Sequence, residues 1–132
     1  MLTILTTGKT PAERAAIAVA RCYGIPCAGL KPRRSGPNRC SYRQCLQQNA
    51  AEADITLALG NKQPPYNADI DSIWGPKPIR LLSIASEMRF HPNGDNTRRW
   101  LRKHRVKRLH VTGTAPKAMA VKFLRAVLKA QR

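Results

Sequence analysis

The sequence predicts an α/β fold: a single Rossmann-like domain with a doubly wound, mostly parallel five-stranded sheet and helices on both faces. Three observations lead to this class. Short apolar runs alternate five times with helical patterns, which is the order that produces a parallel sheet. No internal repeat or low-complexity segment interrupts this alternation. The 132 residues have the length of one domain, so we expect residues 1–132 to form a single domain.

Five runs rich in aliphatic and β-branched residues predict the strands. They cover residues 2–6, 25–28, 54–59, 78–84 and 108–112. Pro26 lies near the start of the second run. Because proline cannot donate a backbone hydrogen bond, we expect this run at an edge of the sheet. The apolar character of the fourth run is typical of a strand buried in a parallel sheet.

Capping residues and apolar periodicity predict the helices. They are expected at residues 12–23, 42–53, 95–105 and 116–132, with a short helical turn at 68–74. Thr10 suits the N-cap of the first helix, and Pro11 suits its first position. Glu13 in the first turn complements the helix dipole, and Gly24 is expected to end the helix.

The later helices show similar signals. Ser41 is expected to cap the second helix, and Asp95 or Asn96 to cap the third. In the last helix, apolar residues repeat every three or four positions, which predicts a stripe that faces the core. The stripe consists of Ala120, Phe123, Leu124, Val127 and Leu128.

The charge balance restricts the class of partner. The chain has 24 Lys and Arg against 7 Asp and Glu, a net charge of +17. Such an excess repels itself unless an anion is near, which favours nucleic acid, phosphorylated ligands or acidic surfaces. No apolar run reaches the ~20 residues of a membrane span, so we expect no membrane partner. Residues 1–8 carry no basic leader, so we expect a cytoplasmic protein.

Four cysteines form two pairs, Cys22/Cys27 and Cys40/Cys45, with four residues between the members of each. This spacing is at the loose end of what structural zinc sites use, and such a site would need both pairs to converge. In the cytoplasm thiols stay reduced. We therefore expect buried or half-buried free thiols and no metal, with zinc as the open alternative.

Two strand-to-helix loops have the composition of anion-binding turns. The first, residues 6–11, places Gly8, Lys9 and hydroxyl residues before a helix N-terminus, where free N–H groups and the helix dipole favour phosphate. It lacks the earlier glycine of a P-loop, so an NTPase is not indicated. The fifth loop, residues 112–117, has a similar composition. If their strands are neighbours, the two loops will meet.

The order of several short motifs resembles the putative molybdenum carrier proteins. The resemblance is carried by residues 4–16, Gly24-Ile25-Pro26, Gly29, Pro32-Arg33, Tyr42-Arg43-Gln44, Asn49, Asp54, Thr56-Leu57, Trp100-Leu101 and 109–113. That family is similar to the YpsA-like and lysine-decarboxylase-like Rossmannoid group, whose members are regarded as binders of nucleotide-type or pterin-type ligands. The resemblance therefore implies a Rossmann-like fold and a nucleotide or molybdopterin-type ligand.

The site residues follow from this resemblance and from the composition of the first loop. The expected ligand-binding residues are Thr7, Gly8, Lys9, Thr10, Arg14, Arg33, Arg43, Gly113 and Thr114. Arg33 stands at the position of the family's loop lysine, and Arg43 at the arginine of its Tyr-Arg-Gln motif. Gly113 and Thr114 stand in its last binding loop.

Departures from the family pattern favour binding without catalysis. Thr7, Lys9 and Pro11 replace two glycines and a glutamine of the family's first loop. No Gly-Gly-Thr loop occurs between Gly60 and Gly75, and the Pro-Gly-Gly-x-Gly-Thr-x-x-Glu signature of nucleotide-cleaving relatives is missing. The acids and the three histidines show no spacing typical of a catalytic triad or metal site. We therefore expect non-catalytic binding of a phosphate-bearing small ligand at the first and fifth loops.

Nucleic-acid binding is the alternative function, with an acidic protein as a third kind of partner. Between residues 89 and 110 only Asp95 balances a dense run of cations, which is typical of phosphate-backbone contacts. The segments concerned are 31–43, 89–108 and the C-terminal helix. The expected contact residues are Arg98, Arg99, Arg102, Lys103, Arg105, Lys107, Arg108, Lys122, Arg125 and Lys129.

Overall fold

A computed structural model describes residues 2–33, 35–36, 39–60 and 78–129. The helical turn predicted at 68–74 lies outside the described residues. So do the end of the predicted last helix, at 130–132, and Arg34 within the basic loop.

The five described strands form one parallel sheet, as predicted. They are β1 (Thr3–Leu5), β2 (Cys27–Ala28), β3 (Ile55–Gly60), β4 (Ile79–Ser83) and β5 (Arg108–Gly113). Their order is β2-β1-β5-β3-β4. The Pro26 run therefore lies at an edge, and β1 and β5 are neighbours, which brings the first and fifth loops to adjacent positions.

The helices begin and end close to the predicted positions. They are α1 (Pro11–Cys22), α2 (Tyr42–Glu52), α3 (Ile84–Phe90), α4 (Asp95–Lys103) and α5 (Lys117–Leu128). The prediction missed α3 and assigned its first residue, Ile84, to a strand. The predicted cap of α4 was also wrong: the N-cap is Gly94, whose φ of 68° is left-handed, and Asp95 is the first helical residue.

Helices cover both faces of the sheet. Because side chains alternate along a strand, Ile55, Leu57 and Leu59 of β3 point to the face whose core also contains residues of α1 and α5. On the other face, Leu46 and Ala50 of α2 form a separate apolar cluster with Ile79 of β4. The arrangement is therefore the doubly wound, Rossmann-like fold that the alternation of elements predicts.

The strands of the parallel sheet all begin on one side of the sheet and all end on the opposite side. At the edge where the strands end, hereafter the carboxyl edge, the loop after β1 lies beside the loop after β5. The opposite edge, where the strands begin, is the amino edge. Residues 104–107 enter β5 there, and the backbone N–H groups of Lys107 and Arg108 donate to Oδ2 of Asp54 at 2.8 and 2.9 Å.

Among the described helices, none is long and apolar enough to cross a membrane.

Candidate functional site

An open cleft of about 1030 Å³ lies at the carboxyl edge, beside the loop after β1. Among the described residues that line it, four are cations and none is an acid. The lining residues are Thr7, Lys9, Lys31, Pro32, Arg33, Arg39, Cys40, Ser41, Tyr42 and Gln44. In doubly wound proteins, ligands bind at this edge of the sheet.

Backbone hydrogen bonds fix the basic segment that forms one wall of the cleft. Arg33 and Cys40 form an antiparallel bridge, with N–H to O distances of 2.9 and 3.0 Å in the two directions. The buried Asn49 of α2 holds the start of this segment, because its Oδ1 accepts from the N–H of Leu30 at 2.8 Å and its Nδ2 donates to the Leu30 carbonyl at 3.2 Å. The bridge and this anchor place Arg33 and Arg39 at the cleft.

A capping box sets the start of α2 at the other wall of the cleft. Ser41 Oγ accepts from the N–H of Gln44 at 3.2 Å, and Gln44 Oε1 accepts from the N–H of Ser41 at 2.9 Å. Two N–H groups at the start of the helix thereby gain hydrogen-bond acceptors. The predicted N-cap is confirmed, and Tyr42 begins α2 beside Lys9, whose Nζ lies 5.3 Å from the centre of its ring.

A buried carboxylate lies directly behind the cleft. Oε1 of Glu13 accepts hydrogen bonds from the Thr7 hydroxyl at 2.7 Å and from the N–H groups of Lys9 and Thr10 at 3.1 and 2.9 Å. Oε2 accepts from the hydroxyls of Tyr42 and Thr112 at 3.1 and 3.0 Å. The side chain is fully buried, and five donors compensate for its burial.

This carboxylate occupies the anion-binding position that the first loop was expected to offer to a ligand. The N–H groups of Lys9 and Thr10 already bind Glu13. In the fifth loop, the N–H groups of Thr114 and Ala115 donate to the Leu59 carbonyl at 2.9 and 3.1 Å. The two loops therefore meet as predicted, but these four amides are engaged within the protein.

The cleft gathers only part of the predicted ligand-binding set. Thr7, Lys9 and Arg33 line it. Gly8, Thr10, Arg14, Arg43, Gly113 and Thr114 lie outside its lining. Arg14 donates through Nη1 to the Lys9 carbonyl. A Cβ at Gly8 would lie 2.9 Å from Cδ1 of Ile17.

Seven of the ten described lining residues were not predicted to bind a ligand, and Lys31, Arg39 and Tyr42 are the charged and aromatic ones among them. The two cations were noted only within the segment assigned to nucleic acid. The density of cations between residues 31 and 39 was the available signal. Burial and the neighbouring charge of Glu13 raise the pKa of the Tyr42 phenol to about 12, so its hydroxyl remains a hydrogen-bond donor to Glu13 at neutral pH.

All four cysteines are free thiols. Cys45 is buried and Cys40 is half-buried, as predicted, but Cys22 and Cys27 are exposed because they lie at the end of α1 and on the edge strand β2. Within the part of the chain that the structure describes, no cluster of three or more His, Cys, Asp or Glu side chains could hold a metal ion.

Three of the residues predicted to bind nucleic acid make contacts within the protein, and the other seven are exposed. Arg98 donates to the carbonyl oxygens of Asn93 and Ala126 at 2.6 Å each, which ties α4 to α5. Arg99 pairs with Asp95 at 3.5 Å, and Arg108 lies 3.9 Å from Glu52. Exposed side chains make up the rest: Arg102, Lys103, Arg105, Lys107, Lys122, Arg125 and Lys129.

The fold and the cleft define a Rossmann-like α/β protein with a cationic cleft at the carboxyl edge of its sheet. A scan against protein-family models and a search of curated proteins gave no match. Among solved structures, the chain is similar to a putative molybdenum carrier protein from Syntrophus aciditrophicus SB, with a TM-score of 0.78 and 18% identity over 97% of this chain and 95% of that chain. This likeness shows the fold, and it agrees with the resemblance found in the motifs.

Proposed function

We propose that the protein binds a phosphate-bearing small ligand in the carboxyl-edge cleft and performs no chemistry on it. The observation that supports this proposal is the lining itself, which among the described residues contains four cations and no acid. The cations are Lys9, Lys31, Arg33 and Arg39. Guanidinium groups bind phosphate oxygens in pairs, and lysines add point charges. The similar solved structure is described as a carrier, which accords with binding alone.

The ligand classes that the motif resemblance implies are a nucleotide and a molybdopterin-type compound. Both carry phosphate, so a cationic cleft suits either. In this proposal Thr7, Lys9 and Arg33 contact the ligand directly, together with Lys31 and Arg39. The other predicted residues support the loop: Arg14, for example, holds the Lys9 carbonyl, and the hydroxyl of Thr10 caps α1 by accepting from the N–H of Glu13 at 3.2 Å.

Calorimetric titration with nucleotides tests the proposal, after native mass spectrometry has shown what the purified protein carries. We expect the double variant Arg33→Gln/Arg39→Gln to bind at least about tenfold more weakly than the unmodified protein. Arg99→Gln is the matched control, because Arg99 lies on α4 and not in the cleft lining. Equal losses in both variants, or no phosphate-bearing ligand carried or bound, would refute the proposal.

Nucleic-acid binding is a second candidate function, and it uses the amino edge. Arg102, Lys103, Arg105 and Lys107 are all exposed at the end of α4 and before β5, and no salt bridge pairs them with an acid among the described residues. Phe90 at the end of α3 is 71% exposed, with the Arg89 guanidinium 5.7 Å from its ring centre. Exposed cations suit a phosphate backbone, and an exposed aromatic ring suits a stacked base.

The salt dependence of binding separates this second function from the first. Each phosphate contact contributes about −0.9 to the slope of log K against log salt on duplex DNA. Replacing the four amino-edge cations by glutamine should therefore reduce the steepness of the slope by up to about 3.6. The cleft variant Arg33→Gln/Arg39→Gln serves as the control and should leave the slope unchanged. A protein that shows no salt-sensitive binding to DNA or RNA lacks this function.

A further inference from the structure

We infer that the cleft selects its ligand by the number of negative charges. Its side-chain cations bind a chain of phosphates that carries three or more negative charges, and its loop amides do not bind a single phosphate. This inference rests on the proposed function and names its ligand class more closely. It follows from what the loop amides, the lining cations and Tyr42 are each already bonded to.

The first loop cannot hold a phosphate in the way that strand-to-helix loops usually do. That mode needs free N–H groups at the helix N-terminus. Here the N–H groups of Lys9 and Thr10 bind Oε1 of Glu13. An anion at these amides would have to displace a carboxylate that also accepts from Thr7, Tyr42 and Thr112. The loop therefore stabilises its own negative charge in place of a ligand's.

The fifth loop, which follows β5, is closed to an anion for a different reason. Its amides at Thr114 and Ala115 donate to the carbonyl of Leu59 on β3. Gly113, with φ of 134°, lies so close to β3 that a Cβ there would be 2.1 Å from the Leu59 oxygen. This close approach fixes the loop against the neighbouring strand and keeps the two amides paired.

The cations that remain for recognition are side chains, and they are exposed. All four of these lining side chains are exposed: Lys9, Lys31, Arg33 and Arg39. A single exposed ion pair contributes little because solvent and salt screen it. Several ion pairs made at once by one ligand add up, and arginine adds bidentate geometry. A cleft built in this way distinguishes a polyanion from a single phosphate.

Tyr42 already has partners at its hydroxyl and at its ring. Its hydroxyl donates to Glu13, and the Lys9 ammonium lies over its ring at 5.3 Å. Among the described residues that line the cleft, Tyr42 is the one aromatic residue. The phosphate chain, and not a stacked base, is then the part of the ligand that the cleft recognises.

Calorimetry with inorganic orthophosphate, pyrophosphate and tripolyphosphate at constant ionic strength tests the inference. We expect affinity to rise by roughly tenfold with each added phosphate. ATP should bind within about threefold of tripolyphosphate, and adenosine should not bind. Arg33→Gln and Arg39→Gln should each weaken tripolyphosphate binding by roughly tenfold, whereas the control Arg99→Gln should leave it unchanged.

Glu13→Gln tests the role assigned to the loop amides. A glutamine oxygen can still accept from the N–H groups of Lys9 and Thr10, while the negative charge behind the cleft is removed. Tripolyphosphate should then bind as tightly as before or more tightly, and orthophosphate should still bind weakly. Thermal denaturation of the same variant checks that it remains folded.

The outcomes separate this inference from the proposed function. Equal affinities for orthophosphate and tripolyphosphate, or tight binding of a nucleoside monophosphate alone, would overturn selection by charge number and leave the phosphate site in place. Unchanged tripolyphosphate binding in both cleft variants would also overturn it. If no phosphate compound binds at all, the proposed function fails, and the inference fails with it.

Discussion

Five hydrogen bonds converge on the carboxylate of Glu13, and they join parts of the chain that are far apart in sequence. Two of the donors, Tyr42 and Thr112, lie 29 and 99 positions away. From the sequence, Glu13 was expected only to complement the dipole of α1. A single sequence shows the local half of its role, the capping box with Thr10, but it contains no signal for hydroxyl donors that arrive from α2 and β5.

The site residues that a single sequence can supply are those that local composition and motif position indicate. Lys9 and Arg33 were predicted because loop composition and motif position singled them out, and both line the cleft. Gly113 was predicted as a binding residue, whereas the structure places it against the backbone of Leu59. Composition shows which residues can bind an anion. Whether their amides are free depends on long-range partners.

His110 should make stability depend on pH in the acid range. Its side chain is fully buried, and burial lowers its pKa from 6.5 to about 4. The unfolded chain therefore takes up a proton near pH 6.5, while the folded protein does so only near pH 4. The contribution of His110 to the free energy of unfolding is fully present above pH 6.5. About 3 kcal/mol is lost as the pH falls from 6.5 to 4.

Urea denaturation at several pH values measures this effect. The variant His110→Gln should show a flatter profile between pH 6.5 and 4 than the unmodified protein, whatever its absolute stability. The two proteins share every other acidic and basic side chain, so the difference between the two profiles isolates the imidazole. Parallel profiles would contradict the prediction.

Arg105 occupies a backbone position that favours glycine. Its φ is +50°, and it follows α4 in a turn where the N–H of Val106 donates to the Leu101 carbonyl at 3.1 Å. L-residues pay for the left-handed conformation, and glycine does not. Arg105→Gly should therefore raise the free energy of unfolding by about 0.5–1 kcal/mol.

Chemical denaturation of two variants checks the cause. Arg105→Ala removes the same charge but keeps a Cβ, so it should gain much less stability than Arg105→Gly. If the two variants gain equally, charge repulsion and not backbone strain is the source of the gain.

At the scale of elements, the sequence predicted all five strands and four of the five described helices. It missed α3 because β4 passes into that helix without a turn signal. Ser83 is both the last residue of β4 and the N-cap of α3, where its side chain accepts from the N–H of Ser86. Ile84 continues the apolar run, and apolar content alone does not distinguish a buried strand from the buried start of a helix.

The pairing of β5 with β3 depends on Gly113. A Cβ at this position would lie 2.1 Å from the oxygen and 2.5 Å from the nitrogen of Leu59, both backbone atoms. Gly113→Ala should therefore force the strands apart and lower the free energy of unfolding by about 3 kcal/mol or more. Because β5 is the central strand, this separation would disrupt the middle of the sheet.

Gly24→Ala is the matched control for this prediction. Its φ of +67° is also left-handed, but a Cβ there meets nothing within 4 Å, so the substitution should cost only about 1–2 kcal/mol. Denaturation curves of the two variants measure the difference. Similar losses in both would show that backbone conformation, and not the contact with Leu59, sets the cost.

At the scale of the whole molecule, positive charge collects at both edges of the sheet. The cleft holds cations at the carboxyl edge, and the segment before β5 holds another group at the amino edge. A net charge of +17 on 132 residues opposes compaction, because like charges repel in the folded state. The composition gives this excess of positive charge directly, but only the fold shows that these two groups of cations lie on separate surfaces.

Salt should therefore stabilise the protein. Raising NaCl from about 20 mM to about 500 mM shortens the screening length from about 20 Å to about 4 Å and should raise Tm by several degrees, as measured by circular dichroism. Tripolyphosphate at matched ionic strength should raise Tm further, because a bound ligand stabilises the folded state. Arg33→Gln/Arg39→Gln should keep the NaCl effect and lose this additional increase. A Tm that falls with NaCl would mean that favourable ion pairs outweigh the repulsion.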